Sequence, residues 1–126
     1  MAFGDLFLED IRRYREEFLA PTGIAPLFPL WDLPTADLAR DMIQGGLGAR
    51  VTCVGPRRLP AAFAGRAFDA AFLADLPPTV DPCGERGGFH TVACAGPLFA
   101  HPLPVQVVER EGFVVADVLP HPLAPT

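Results

Sequence analysis

The sequence predicts an α/β fold that finishes in antiparallel strands, and three observations carry that expectation. Before Pro77-Pro78, apolar residues at helical spacing alternate with short continuous apolar runs, the pattern of helices packed against buried strands. From Phe89 onward the period becomes that of strands. Between the two halves lies Val80-Asp81-Pro82-Cys83-Gly84-Glu85-Arg86-Gly87-Gly88-Phe89-His90-Thr91, where a thiol, two carboxylates, an imidazole and a hydroxyl are interleaved with three glycines and a proline.

Taken in order, Asp5 is placed to cap a helix over 5–20, with Phe7, Ile11, Tyr14 and Phe18 as its apolar stripe. Pro21 stops it and Gly23 turns the chain. Residues 24–31 form an apolar run that predicts a buried strand, irregular because Pro26 and Pro29 each remove a ladder donor. Pro34 and Thr35 open a second helix, with Thr35 as N-cap, Leu38, Met42 and Ile43 facing inward, and Gly45-Gly46 closing it. A second buried strand is expected over 49–54, with Cys53 in the core, followed by a turn at Gly55-Pro56. A helical region over 60–76, open to a break at Gly65, carries the stripe Phe68, Phe72, Leu76. Strands are expected over 89–95, 103–108 and 113–119, joined by turns at Gly96-Pro97 and Arg110-Glu111-Gly112, and residues 121–126 are expected to be loose.

Composition narrows the function classes. At 126 residues the chain is expected to fold as one core, and half of its residues are hydrophobic. A net charge of -5 with no basic run argues against a nucleic-acid or anionic-membrane surface. No apolar stretch nears the roughly 20 residues that span a bilayer, and the acidic N-terminus is unlike a signal peptide, which points to the cytoplasm. The three cysteines, Cys53, Cys83 and Cys94, do not form a disulfide framework. Serine, lysine and asparagine are absent, which removes a serine nucleophile, a Schiff-base lysine and any Gly-Lys-Ser/Thr phosphate loop.

The chemistry left to the chain concentrates in 80–91. Cys83, His90, Cys94 and His101 have zinc-type side chains, but no C-x-x-C pair anchors them, so no metal site is assigned. A Cys83–His90 nucleophile pair competes with the commoner role of cysteine as a small inert hydrophobe. Glu85 stands among glycines whose amides could face a polar ligand; it is either a reactive acid or a group that satisfies its own turn. Asp5 after Gly4 has the same two readings, helix cap or ligand contact at the opening of a helix. His101 and His121, beside prolines, are given no role.

Several of these segments together resemble a known family. Phe3-Gly4-Asp5-Leu6-Phe7-Leu8-Glu9-Asp10, Pro29-Leu30-Trp31, Asp81-Pro82-Cys83-Gly84-Glu85 with Gly87, Phe89-His90-Thr91 and Gly96-Pro97-Leu98-Phe99 are similar to the later half of the diphthine-ammonia ligases, or diphthamide synthases, over 3–119. The Phe-His-Thr form resembles the bacterial branch, and since bacteria do not make diphthamide the natural acceptor would differ.

The resemblance implies a PP-loop ATP pyrophosphatase that adenylates a carboxylate and lets ammonia displace AMP. Residues 1–31 would then be the end of a Rossmann-like (HUP-type) nucleotide-binding sheet, 32–119 a small α+β domain with antiparallel strands, and 120–126 a tail. By the same resemblance Glu85 would be catalytic, Cys83, Gly84, Gly87, His90 and Thr91 would line the acceptor pocket, and Gly4 and Asp5 would face the ATP, bound with Mg mainly by a preceding half.

Two departures stand out. The family's Ser-Gly-Gly-Lys-Asp-Ser loop cannot occur in a chain without serine or lysine, and Gly88 replaces the usual family glutamate. The chain alone is therefore expected to be inactive and to need the N-terminal half or self-association, the alternative being a binding module that keeps the fold without the enzymology.

Overall fold

The strand expected around Val51 is present as β1 (Gly48–Val54) and organises the core. Ala49 and Val51 alternate inward, and Val51 is fully buried. β2 (Phe89–Ala95) pairs with it antiparallel, from Gly48 opposite Ala95 to Val54 opposite Phe89. The register shifts between Val51 and Cys53. Such an irregularity ends the inward alternation, so Cys53 is only half-buried; the expectation that it sits in the core is corrected, and Cys94 is the buried thiol.

The computed structural model describes residues 1–110 and 113–118, a mixed α/β chain in which β1–β2 and β3–β4 are two separate antiparallel pairs. β3 (Val105–Arg110) and β4 (Phe113–Val118) fall within a few residues of the expected strands, with Arg110 opposite Phe113. The expected turn at Glu111-Gly112, strand residue Leu119, the loose tail and His121 lie outside the described residues.

The helix expected over 60–76 is a correction. A short 3-10 turn (Ala61–Phe63) and a short helix (Ala70–Asp75) flank an extended segment that hydrogen-bonds to the free edge of β1. The Gly65 amide donates to Val51 O at 2.8 Å, the Val51 amide to Arg66 O at 2.9 Å and the Phe68 amide to Ala49 O at 2.9 Å. Gly65 takes a φ of 84° where a Cβ would meet Val107 Cγ2 at 2.5 Å, so the break sits at the one residue able to make it.

Numbered along the chain, the helices are α1 (Glu9–Leu19), α2 (Thr35–Gln44) and α3 (Ala70–Asp75). α3 is capped by Asp69, whose carboxylate accepts from the Phe72 amide at 2.9 Å. It inserts Phe72, fully buried, against Phe63, Phe68 and Phe89; the Phe72 and Phe89 rings meet edge to face at 5.0 Å. From α2, fully buried Ala39 completes the core with Met42 and Ile43 against it, and Gly45 closes the helix as expected.

The N-terminal segment departs most from expectation. Residues 24–31 are not a strand: Ala2 and Leu27 form a single parallel bridge, and turns follow it. Pro26 and Pro29 on either side of the bridge deny the ladder its donors. α1 between the bridged residues makes one rudimentary strand–helix–strand connection; no larger parallel sheet occurs among the described residues.

The packing of α1 is also reversed. Its seated face consists of Leu19, Arg12 and Arg15, with the Arg12 guanidinium 4.5 Å from the Phe28 ring centre and 4.8 Å from that of Trp31, and Arg15 4.7 Å from Phe3. Ile11, Tyr14 and Phe18 therefore turn outward, with Tyr14 and Phe18 at 60% and 66% exposure. Among the described residues no helix is long and apolar enough to cross a membrane.

Candidate functional site

The loop 80–91 is held at both ends by the core, since Val80 and Phe89 are buried. Its organising group is Asp81. One carboxylate oxygen accepts from the Cys83 amide at 2.9 Å and the Glu85 amide at 3.3 Å, and the other accepts from the Thr35 hydroxyl at 2.7 Å. An aspartate followed by proline favours this kind of turn, in which the side chain accepts amides further along the loop. The Gly84 amide also bonds Asp81 O at 2.8 Å.

The glycines differ in what the structure asks of them. Gly84 has a φ of 82°, and a Cβ there would lie 2.4 Å from Phe89 O, so a tight turn explains it. Gly87 is exposed, with a φ of 75° and open space around it, and Gly88 is buried against Val80. Gly4 has open space and no such φ, so nothing in the structure explains a glycine there.

Thr35 ties the loop to α2. The sequence expectation of an N-cap is corrected: Pro34 is the cap position, Thr35 is the first helical residue, and its hydroxyl bonds the remote Asp81. The Cys83 thiol donates back to Thr35 O at 3.5 Å. Burial pushes the Cys83 thiol from 9.0 up to about 11, with the charges of Asp81 and Glu85 adding to it. A thiol so held is an inert packing group at neutral pH rather than a nucleophile.

Glu85 is half-buried, and its pKa is raised first by desolvation, then by Asp81 and Asp5, against a lowering by His90. Asp5 does not cap α1, where Leu8 occupies the cap position without a side-chain bond; its carboxylate instead lies 3.4 Å from Arg15 Nε. The N-cap expectation is thus corrected, because the helix starts four residues later, at Glu9. Arg86, at φ 60°, lays its guanidinium 5.0 Å from the Phe7 ring centre and so fastens the loop to the N-terminal segment.

The structure brings Asp5, Glu85 and His90 within electrostatic reach, with Cys83 and Gly84 beneath them in the same loop. It does not bring Thr91 in on the same footing: Thr91 pairs with Val51 along β2 and is exposed. Cys94 is buried under β1, with its thiol 3.6 Å from Gly48 O, whereas His90 on the same strand is exposed, so the two do not share a ligand face. Among the described residues no three His, Cys, Asp or Glu side chains converge as a metal-ligand set.

The residues missed by sequence reasoning are Thr35 and Arg15, whose partners lie 46 and 10 positions away, and Asp81, whose Asp-Pro turn signal was readable. An apolar groove of about 440 Å3 lies elsewhere, between α2 and α3, lined by Ala36, Leu73, Leu76, Pro77, Val80 and Pro82. A shallower recess of about 490 Å3 lies where Arg86 faces the start of α1.

Of the two residues expected to face the nucleotide, Gly4 has open space around it and the Asp5 carboxylate lies 3.4 Å from Arg15 Nε. No protein-family model matches the chain, and no curated protein matches it.

Proposed function

We propose that this chain is the acceptor-side portion of an amide-forming ligase of the diphthine-ammonia ligase type, with carboxylate activation carried out by residues outside it. The observation that carries the reading is the meeting of two segments that both resemble the family: Arg86 of the loop lays its guanidinium 5.0 Å from the Phe7 ring centre, and the charge of Asp5, 80 positions before Glu85, helps to raise the Glu85 pKa.

In this reading Glu85 is the base. A carboxylate whose pKa is raised by desolvation and by two like charges accepts a proton more readily than an ordinary one, which suits it to take the proton shed by an attacking amine nitrogen. His90 borders it on the exposed side, and Cys83 and Gly84 hold the loop beneath it. Residues 1–31, with their single parallel bridge and an α1 whose apolar stripe faces out, form the edge at which the remainder of a HUP-type nucleotide-binding sheet docks.

Translation of the DNA preceding Met1, in frame and in the adjacent reading frame, is the first test. A Ser-Gly-Gly-Lys-Asp-Ser-like segment is expected, and its absence from both counts against the ligase. With that segment supplied, AMP release from ATP should depend on Glu85; an Glu85→Ala variant that keeps the full rate removes Glu85 from the chemistry. A non-catalytic binding module is the second reading, favoured by the α2–α3 groove, which Glu85 does not line. It predicts no ATP turnover with any partner.

A further inference from the structure

We propose that Asp81 is the positioning residue of this loop: by gathering two loop amides and the Thr35 hydroxyl onto one carboxylate, it sets where Glu85 stands relative to Asp5 and His90. The inference rests on the proposed function only for the role of Glu85 as a base. The arrangement itself is a matter of geometry.

An ionised carboxylate is an acceptor with about four lone-pair sites, and three donors occupy Asp81. The donors come from two elements. Thr35 belongs to the first turn of α2, whose Ala39 is fully buried in the core, so that oxygen is anchored to a rigid body. The other oxygen receives the amides of Cys83 and Glu85, which fixes the backbone from which the Glu85 side chain extends. The Cys83 thiol donating to Thr35 O closes a ring between the same two elements. Remove the carboxylate and the Glu85 amide loses its side-chain acceptor, while the Thr35 hydroxyl loses the partner that ties it to the loop.

Asp81 also acts on Glu85 through its charge, together with Asp5, which is itself paired to Arg15, and against His90. Positioning and charge are separable by substitution. In Asp81→Asn the amide oxygen still accepts from the two backbone amides and the NH2 group can donate to the Thr35 hydroxyl, so the geometry persists and the charge goes. In Asp81→Ala both go. In Thr35→Val only the anchor to α2 goes.

The test uses the full chain, with amide hydrogen exchange at Cys83 and Glu85 and a carbon-detected NMR titration of the Glu85 carboxyl. Expected for Asp81→Ala is exchange at both amides faster by at least about tenfold, since charge-assisted hydrogen bonds are lost. Expected for Asp81→Asn, which keeps the acceptor and loses the charge assistance, is exchange between that of wild type and that of Asp81→Ala with the Glu85 midpoint moved down, and for Thr35→Val faster exchange by about threefold.

Exchange in Asp81→Ala as slow as in wild type overturns the proposal, as does an unmoved Glu85 midpoint in Asp81→Asn. Should Asp81→Ala fail to fold, Thr35→Val decides the positioning part, and unchanged exchange there overturns it. Neither readout needs ATP or an acceptor, so absence of ligase turnover leaves these results standing and counts only against the proposed function.

Discussion

The Gly55 amide donates to Gly88 O at 2.8 Å, and a Cβ on Gly55 would stand 2.1 Å from Gly87 O. The end of β1 and the site loop therefore touch backbone to backbone, and the contact carries Glu85 on a strand that is part of the core.

Gly55→Ala forces these two backbones apart. Because the obstructing atom is a carbonyl oxygen and not a pliable side chain, we expect a loss of about 1–3 kcal/mol in stability, as for other forced overpacking. Gly4→Ala, with nothing within 4 Å, is the control and should stay within about 0.5 kcal/mol of wild type. Urea denaturation of both variants checks this; equal midpoints would mean that the loop is not seated on β1 as described.

The antiparallel half was legible in the sequence, and the N-terminal third was not, for physical reasons that particular residues show. β2 has the expected bounds, although its buried residues Phe89 and Cys94 are five positions apart, because the register irregularity opposite Val51 and Cys53 breaks the alternation. For α1 the pattern Ile11, Tyr14, Phe18 marks an apolar stripe correctly but cannot say what it meets, and Arg12 and Arg15 bind aromatic rings that no periodicity reveals. Residues 65–68 read as helix because Phe68 and Phe72 are four apart, yet hydrogen bonds to β1 outweigh local propensity there. In the site, Glu85 and His90 were found by residue type, whereas Thr35 was not, since a bond across 46 positions leaves no local trace.

The raised pKa of Glu85 makes a signed prediction about pH. Between the ordinary value of 4.5 and its raised folded value, the native chain binds more protons than the unfolded one, so stability falls as pH rises through that window. Glu85→Gln removes this contribution: it should flatten the decline and leave the variant at least as stable as wild type at neutral pH. Thermal melts of the two proteins in steps from pH 4 to pH 8 check this, and parallel curves would refute it.

Cys83 should resist alkylation. With its thiol pushed up to about 11, about one molecule in a thousand carries the thiolate at pH 8, and the thiolate is the nucleophile. Mass spectrometry after iodoacetamide treatment of the native chain should find Cys53, half-exposed beyond the irregularity in β1, modified well ahead of Cys83. Removing the charge at Asp81 should speed Cys83, because that carboxylate is second only to burial in raising its pKa. Modification of Cys83 at the rate of Cys53 would contradict both the burial and the charge arrangement.

The outward stripe of α1 should make the isolated chain self-associate. Tyr14 and Phe18 stack on each other at 6.1 Å while remaining more than half exposed, and Ile11 extends the strip by one turn. Stacking within the pair leaves the outer surface of both rings in water, and covering an aromatic side chain is worth about 1.5–3 kcal/mol. An acidic residue in the strip opposes that burial, whether the covering surface is another copy or the docked half of a larger enzyme. Sedimentation velocity of the wild-type chain at increasing concentration should show association, and Phe18→Glu should return it to monomer with the melting temperature nearly unchanged, since Phe18 and its ring partner Tyr14 are both mostly exposed. A wild-type chain that stays a cooperative monomer at high concentration would show that the strip needs no cover, which favours the self-sufficient binding module over the ligase fragment.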